Sequence, residues 1–399
     1  AVGYYALLAN TTGTYNTASG FESMKANTTG SYNAAYGRLS LEANTTGNEN
    51  TAIGNTALYL NTSGINNTAV GSAALNANTT GADNVAVGKD ALLANTTAAS
   101  NTAVGANALK ANTTGGNNIA VGDSALLANT TALNNIGIGV ASLLVNTTGA
   151  SNIAIGTSAL RANTTGGSNT AVGYQALDSC TTGSSNIAVG LNAGSAITTG
   201  AANTCVGDDA GKWGLTPLTT GANNTLIGSY SYTTTSATNN ANAFGYNVGS
   251  EGGYTTLGFG GNDIRASHGS TTWSTVSDER YKKDITTSTA GLSVINELRP
   301  VTWNYKTLGE LPETFNAYEA DSTEVFKNTQ TNHGFIAQEV KAVIDNHSEI
   351  KDGFRLWDDR DDGSQEVAEA ALIPVLVKAI QELSTQNAAL AARLTALEA

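Results

Sequence analysis

The chain has few of the residues on which many enzyme and binding sites depend. Its 399 residues include 2 cysteines, 3 histidines and 4 prolines. The two thiols, Cys180 and Cys205, are too few for a disulfide framework and suit folding in a reducing cytoplasm. The histidines are His268, His333 and His347, and their spacing is not typical of metal ligands. We therefore expect neither a metal nor another cofactor.

Basic residues and long apolar runs are also scarce. The chain has 19 Lys and Arg against 32 Asp and Glu, a net charge of −13, which opposes binding to nucleic acid or to an anionic membrane. No apolar run reaches the ~18–20 residues that a membrane span needs. The first residues have no signal-peptide pattern and begin partway through a repeat, so we expect a cut end there.

Charge divides the chain into two parts. Residues 1–276 carry 11 acidic and 7 basic side chains, whereas residues 277–399 carry 21 acidic and 12 basic ones. The first part consists mainly of Asn, Thr, Gly, Ala and small aliphatic residues, and the second has the composition of an ordinary globular segment. We predict a repeat shaft over 1–228, an irregular β connector over 229–276, a globular domain over 277–370 and a coiled coil over 371–399. Within the globular domain we expect a helix near 292–298, a strand at 301–305, a helix from 337 to about 345 and acidic loops around 358–362.

A 17-residue pattern recurs along the first part. The motif N-[TIV]-A-[VI]-G, or a close variant, recurs at intervals of 17 residues, and one more copy follows at Asn224 after a gap of 21. A second marker, N-T-T-G or a near relative, keeps the same period from Asn10 to Asn163, after which Cys180 and Ile197 take its place. The asparagines of the first motif are Asn16, Asn33, Asn50, Asn67, Asn84, Asn101, Asn118, Asn135, Asn152, Asn169, Asn186 and Asn203.

Such periodicity indicates a stack of identical units. Frequent Gly, Asn and Thr disfavour helix, so we predict strand, turn, strand and turn in each repeat. Ile119 and Val121 should share one strand face, with Ala120 on the other. Stacked asparagines are expected to hydrogen-bond from rung to rung. The 14 rungs marked by glycines from Gly3 to Gly228 would form a stack roughly 65 Å long.

The repeat resembles the head domains of trimeric bacterial autotransporter adhesins and the shaft repeats of phage tail fibres. The adhesin resemblance implies a left-handed parallel β-roll. A roll closed within each chain and an interwound triple β-helix both fit the repeat, and we favour the roll. The expected fold class is mainly β: a trimeric parallel β-roll or β-solenoid shaft, a small α+β domain and a three-stranded coiled coil.

The connector is rich in aromatic residues, namely Tyr230, Tyr232, Tyr246, Tyr254 and Phe259. Their faces are of the kind that stack on sugar rings, which makes them a candidate receptor surface. The alternative, which we favour from the sequence, is that they pack between chains at a trimer axis.

Four motifs follow one another from Ser277 onward. They are S-D-x-R-x-K-x-x-I at 277–285, L-R-P-V-x-W-x-Y at 298–305, H-G-F-I-A-Q-E-V at 333–340 and A-L-I-P-x-L-V-K-A-I-Q-E-L at 371–383. Their sequence and order closely resemble the endosialidase-type intramolecular chaperone, a self-cleaving domain at the C-terminus of many phage tailspikes and fibres. The resemblance extends over residues 277–399.

The resemblance implies a Ser–Lys dyad that cleaves the chain between Val276 and Ser277. Ser277 would be the nucleophile and Lys282 the base. A serine hydroxyl needs such a base, and a lysine can act as one only when desolvation or nearby positive charge lowers its pKa from ~10.4. Arg280 is near enough in sequence to supply part of that field. The reaction would be a single turnover on the chain's own backbone, without an external substrate.

Two further motif residues, His333 and Gln338, are candidates for the oxyanion hole. We favour the simpler interpretation, in which His333 lies at a strand edge and Gln338 on a helix surface or in an interface. Asp278 more plausibly caps a turn than takes part in acid–base chemistry.

A heptad repeat runs from Ile373 to the end of the chain. The polar Asn387 at one a position is typical of residues that set register and chain number. An amphipathic helix that packs on its own domain is the alternative, but four regular heptads favour association of three chains. The a positions are Ile373, Ile380, Asn387 and Leu394, and the d positions are Leu376, Leu383, Leu390 and Leu397.

These features predict a structural, host-receptor-binding phage tail fibre, assembled in the host bacterial cytoplasm and carried on the virion. Its C-terminal domain would drive trimerisation and folding and then cleave itself off. Expected partners are two further copies, a host surface glycan and other tail proteins. The alternatives are a non-cleaved bacterial or phage adhesin with a permanent trimerisation cap, and a tailspike with a polysaccharide depolymerase upstream. A glycosidase within 1–228 is disfavoured, because its acidic residues form no recurrent pair.

Overall fold

The computed structural model describes residues 1–214, 216–275, 277, 279–351, 356–359 and 363–398. The chain forms two compact units, Ala1–Ser277 and Asp278–Ala399. Within the described residues, no helix combines the length and the apolar character that crossing a bilayer requires.

The first unit is a parallel β-solenoid, which confirms the predicted fold class of the shaft. Each repeat contributes a three-residue strand that pairs in register with the strands one rung away, so that Ala103 lies between Ala86 and Ala120. The strands of the repeat region are β1 (Thr17–Ser19), β2 (Ala34–Tyr36), β3 (Thr51–Ile53), β4 (Thr68–Val70), β5 (Val85–Val87), β6 (Thr102–Val104), β7 (Ile119–Val121), β8 (Ile136–Ile138), β9 (Ile153–Ile155), β10 (Thr170–Val172), β11 (Ile187–Val189), β12 (Thr204–Val206) and β13 (Thr225–Ile227).

The interior of each rung from β1 to β12 is narrow and takes the small residue of the strand, whereas β13 buries Leu226 there. Ala120 is fully buried, whereas Ile119 and Val121 on either side of it are 38% and 36% exposed. The predicted division of the strand faces is therefore confirmed. At Gly137, which takes the alanine place in the next rung, an added Cβ would lie 3.3 Å from Leu126 Cγ. A methyl group fills the available space, so the β-branched residues face outward.

The second apolar stretch of each repeat forms turns, and the second strand that we predicted there is wrong. Leu126 has a φ of 52° and Ser124 a φ of 56°, so left-handed residues alternate with ordinary ones and the chain curls. The left-handed conformation costs a non-glycine residue about 1–2 kcal/mol. Leu126 is fully buried, which contributes about 1.5–3 kcal/mol, so its burial offsets the strain.

The closing glycine of each strand is required for two reasons. Gly122 has a φ of 137°, a conformation that side chains rarely adopt, and an added Cβ would lie 2.6 Å from the carbonyl oxygen of Gly139 on the next rung. The same close approach recurs from rung to rung. A glycine at every seventeenth residue thus allows successive backbones to stack this closely.

A ladder of asparagine amides lies buried along the strands. Asn118 Nδ2 donates to Asn101 Oδ1 at 3.2 Å and to the carbonyl of Ala132 at 2.9 Å. Asn118 Oδ1 accepts the backbone N–H of Asn135 at 2.9 Å. Each amide therefore bonds to the rung before it and the rung after it, which confirms the predicted ladder. Buried amides are tolerated because their donors and acceptors are bonded in this way.

A second ladder uses the asparagines of the N-T-T-G turns. Asn112 Nδ2 donates to Asn95 Oδ1 at 3.1 Å and to the carbonyl of Gly115 at 2.9 Å. The ladder stops where Cys180 replaces asparagine. Within the described part of the chain, Asn163 Oδ1 is then left buried without a hydrogen-bond partner. Burial raises the pKa of the Cys180 thiol to about 11, so this thiol stays protonated and unreactive near neutral pH.

The solenoid continues past the predicted end of the shaft at residue 228. Thr225 pairs with Asn242, 17 residues later, so the shaft continues for one rung beyond its predicted end, and the step then shortens to 13 residues between Asn242 and Thr255. Ala241 replaces the motif asparagine in this rung, yet its N–H still donates to Asn224 Oδ1 at 2.9 Å. The remaining strands are β14 (Tyr232–Thr233), β15 (Asn242–Tyr246), β16 (Gly249–Ser250), β17 (Tyr254–Phe259) and the antiparallel β18 (Asn262–Ser267).

The second unit is a small mixed α and β fold. Strand β19 pairs with β20, and β21 with β22, both antiparallel. Its elements are a 3-10 turn (Glu279–Tyr281), α1 (Leu292–Glu297), β19 (Val301–Trp303), a second 3-10 turn (Leu308–Glu310), β20 (Asn332–Gly334), α2 (Ala337–Asn346), β21 (Trp357–Asp359), β22 (Gln365–Val367), a third 3-10 turn (Glu369–Leu372) and α3 (Ile373–Glu398).

The core of the second unit joins its helices. Val294 of α1, Val340 of α2 and Val375 of α3 are buried in one cluster with Leu356 and Leu372. The predicted helices near 292–298 and 337–345 and the strand at 301–305 are confirmed, the strand being shorter than expected. The acidic loop predicted at 358–362 begins within strand β21, and residues 360–362 lie outside the described residues.

The asparagine ladder predicts unequal effects at two adjacent positions. Asn118→Ala leaves the N–H of Asn135 and the carbonyl of Ala132 without their partners, so we expect a loss of roughly 3 kcal/mol in the free energy of unfolding. Asn117→Ala is the matched control, because Asn117 is exposed and an alanine, Ala202, already occupies the equivalent left-handed position. Chemical denaturation followed by circular dichroism should show the difference, and equal losses would contradict the ladder's role.

Candidate functional site

The predicted nucleophile and base lie on either side of the boundary between the units. Ser277 is the last residue of the first unit, and its side chain is exposed. Arg280 lies in the 3-10 turn and Lys282 directly after it, where the Lys282 N–H donates to the Glu279 carbonyl at 2.9 Å. Both cationic side chains are exposed. Val276, on the other side of the predicted cleavage bond, lies outside the described residues, as does Asp278.

The oxyanion candidates occupy surface positions in the second unit. His333 lies in β20, opposite Thr302 of β19, and its side chain is exposed. Gln338 lies in the first turn of α2, is exposed, and borders a cleft of about 590 Å³. Trp303 and Tyr305 form part of the cleft wall. Four aromatic side chains line the cleft together with a larger number of polar ones, Lys306 and Lys327 among them.

An ion pair that the sequence analysis did not anticipate connects two of the motifs. Arg299 Nε donates to Glu339 Oε2 at 3.0 Å, and a second guanidinium nitrogen bonds the other carboxylate oxygen. The pairing raises the pKa of Arg299 and lowers that of Glu339. Both side chains are partly exposed, so the pair orients α2 more than it stabilises the fold. The 40-residue separation hid this contact from the sequence.

His347 lies between two carboxylates near the ends of α1 and α2. Its Nδ1 is 3.1 Å from Glu349 Oε1, and its Nε2 is 3.3 Å from Glu297 Oε1 without good hydrogen-bond geometry. Burial lowers the pKa of His347, but the two carboxylates outweigh it and raise the pKa above its ordinary value. Protonated His347 therefore holds the end of α1 against the end of α2.

Helix α3 packs on its own unit through residues outside the predicted heptad seam. Val375 and Ala379 are buried, and Glu382 Oε2 accepts the N–H of Leu292 at the start of α1 at 2.9 Å. Asn387 is exposed. The apolar residues of the predicted seam range from 42% to 85% exposed: Ile373, Leu376, Ile380, Leu383, Leu390, Leu394 and Leu397.

The connector aromatics do not form one group. Tyr230 lies 5.6 Å from Tyr246, and Tyr246 lies 5.2 Å from Phe259, measured between ring centroids. Trp213, which the sequence analysis did not include, extends this line because its ring lies 4.7 Å from that of Tyr230. We call these four residues the aromatic line. The four-residue insertion near Trp213 obscured its register in the sequence.

The other two predicted aromatics lie apart from the aromatic line. Tyr232 borders a neighbouring cleft of about 270 Å³, together with Trp213, Thr216 and Asn247. The guanidinium of Arg265 lies 5.0 Å from the ring centroid of Tyr254, a cation–π contact.

The position of His347 predicts how the second unit responds to pH. Folding raises the pKa of His347. Its contribution to the stability of the folded unit is therefore complete below the unfolded pKa of ~6.5 and is lost as pH rises through the folded value. We expect α1 and α2 to be better protected at pH 6 than at pH 8 in hydrogen-exchange mass spectrometry, corrected for intrinsic exchange. His347→Gln should abolish the difference, and His333→Gln, an exposed control, should retain it.

Comparison with known proteins identifies one matching segment. The sequence model of the Peptidase_S74 family, described as chaperone of endosialidase, matches residues 277–349. No curated protein and no solved structure matches the chain. The predicted resemblance to an endosialidase chaperone is thus confirmed for the segment that begins at Ser277, and this segment follows a parallel β-solenoid.

Proposed function

We propose that the chain is part of a trimeric bacteriophage tail fibre, a structural and host-receptor-binding shaft carried on the virion. Its C-terminal domain drives trimerisation and folding in the host cytoplasm and then cleaves the chain between Val276 and Ser277. The junction at Ser277 carries this proposal. The match to the endosialidase chaperone begins at the residue with which the compact solenoid unit ends.

An apolar column on the outside of the solenoid supports association of the shaft. The third residue of each strand from β2 to β13 is Tyr, Ile or Val. The strand registers extend the column from Ile227 through Phe244 and Leu257 to Ile264. Ile53 and Val189, two residues of this column, are 43% and 39% exposed. Contiguous exposed apolar surface of this length is typical of an interface, here between copies of the shaft.

The C-terminal helix supports a folding order in which three chains associate before the shaft forms. Its apolar seam is exposed although other residues of the helix pack on the second unit, so the seam remains available for a coiled coil. A uniform shaft needs this prior association to set the register of its chains. Slipping one chain by 17 residues preserves almost all contacts, and only a fixed end can specify the register.

Assembly also accounts for when cleavage would occur. Ser277 and Lys282 are exposed in the single chain, whereas a lysine base needs a desolvated site. Neighbouring chains of a trimer would exclude water from this site. Ser277 Oγ would then attack the Val276 carbonyl carbon as the lysine takes its proton, and the new α-amino group would leave with a proton. Water would hydrolyse the resulting ester, leaving a shaft that is kinetically trapped without its chaperone.

The dyad assignment predicts the outcome of a denaturing gel with intact-mass analysis. Freshly expressed protein should yield two products, residues 1–276 and 277–399, and Ser277→Ala should remain whole because it lacks the attacking oxygen. Ser274→Ala is the matched control, since Ser274 is a nearby exposed serine whose Oγ bonds the Arg265 carbonyl. Cleavage of Ser277→Ala at the same bond would rule out this nucleophile. An intact trimeric wild-type chain would favour a permanent trimerisation cap.

The coiled coil predicts that assembly and cleavage are lost together. Ile380→Glu places three carboxylates in the apolar seam, so native mass spectrometry should show monomers and cleavage should fall at least tenfold. Gln381→Glu adds the same charge at the adjacent exposed position and should leave both unchanged. Efficient cleavage in monomeric Ile380→Glu would show that the dyad does not depend on assembly.

A further inference from the structure

The aromatic line lies at the C-terminal end of the solenoid and is accessible. Trp213, Tyr246 and Phe259 are 49%, 48% and 65% exposed. Consecutive ring centroids are 4.7, 5.6 and 5.2 Å apart, and Tyr246 and Phe259 are nearly parallel at 20°. Large aromatic rings are costly to leave in water, and a continuous row of them is a feature that needs a partner.

The position of the row in the rung distinguishes it from the apolar column. Tyr246 and Phe259 each directly follow a rung glycine, Gly245 or Gly258. In earlier rungs the same place is taken by exposed residues of both kinds, the charged Arg38, Lys89 and Asp123 and the apolar Val140 and Leu191. Charges of both signs at this position indicate a face that meets solvent along the shaft. The row therefore lies on a solvent face, whereas the uncharged column is the surface suited to contact between copies.

Polar groups lie beside the row. The backbone N–H of Tyr230 donates to the carbonyl of Asp208 at 2.8 Å, which places Asp208 next to the row. Asp208 Oδ1 and, one rung away, Asn192 Oδ1 are buried and have no hydrogen-bond partner among the described residues. Both oxygens are covered by the chain itself, so a ligand at the row would meet the polar groups of the adjacent cleft. The threonines and Asn247 of the adjacent 270 Å³ cleft add further polar groups.

We infer that the aromatic line and the adjacent cleft bind a neutral glycan. Sugar rings present an apolar face of C–H groups, which stacks on aromatic rings, and a rim of hydroxyl groups, which hydrogen-bond polar groups such as Thr216 and Asn247 of the cleft. The two carboxylates of Asp208 and Asp209, the latter paired with Lys212 at 3.3 Å, disfavour acidic sugars. The inference rests on the proposed fibre function, because it assigns the receptor class and the surface that binds it.

The test applies the expressed protein, in the form in which it assembles, to a printed array of neutral and acidic oligosaccharides. Wild-type protein should bind one or more neutral oligosaccharides, and Trp213→Ala should weaken that signal at least tenfold. Trp213→Phe, which keeps an aromatic face, should restore most of it. Tyr174→Ala is the matched control, because Tyr174 is 51% exposed, directly follows a rung glycine and lies outside the aromatic line. It should bind within twofold of wild type.

Several outcomes would overturn the inference. They are the absence of any neutral-glycan signal, binding to acidic oligosaccharides alone, and equal binding by wild type and Trp213→Ala. Native mass spectrometry of the same samples separates this site from the fibre proposal. If Trp213→Ala lost both binding and trimeric mass, the rings would be packing between copies, and the glycan site would be rejected. If the variants remained trimeric and cleaved, loss of binding would be a property of the aromatic line alone.

Discussion

The close stacking of each rung on its own copy is the constraint on which the first unit depends. The closing glycines bring the backbones so near that no Cβ fits between successive rungs. At this distance a buried asparagine reaches the same asparagine 17 residues away, and its amide is bonded on both sides. The two requirements support each other, since a looser stack would break the amide ladders and a shorter side chain would leave buried groups unbonded.

The same narrow stack determines what the solenoid presents to its surroundings. Its interior takes methyl groups and one leucine per rung, so the isoleucines and valines of the strands are left outside. A solenoid of this size therefore covers its own polar backbone but not all of its apolar side chains. Helix α3 shows a similar division, with one face packed on its unit and the heptad residues exposed. Association of several copies is the physical remedy that both features favour.

Several motif residues of the second unit hold its helices in place. Arg299 and Glu339 come from different motifs and meet as an ion pair, and Glu382 of α3 bonds the first N–H of α1. Much of the motif pattern therefore specifies how the helices are arranged. The carboxylates around His347 have the same role at the other end of α1 and α2.

The sequence by itself determined the period, the parallel stack, the amide ladders, and the helices of the second unit. These follow from local spacing, because stacked copies repeat the same contacts and helical periodicity is read over a few turns. Only the tertiary structure decided that alanine faces inward, that the ALLANTTG half curls through left-handed leucines, and that the shaft gains a rung beyond residue 228. It also brought Trp213 into the aromatic line and paired Arg299 with Glu339. Those outcomes depend on the space inside a closed rung and on contacts between distant residues, which no local pattern encodes.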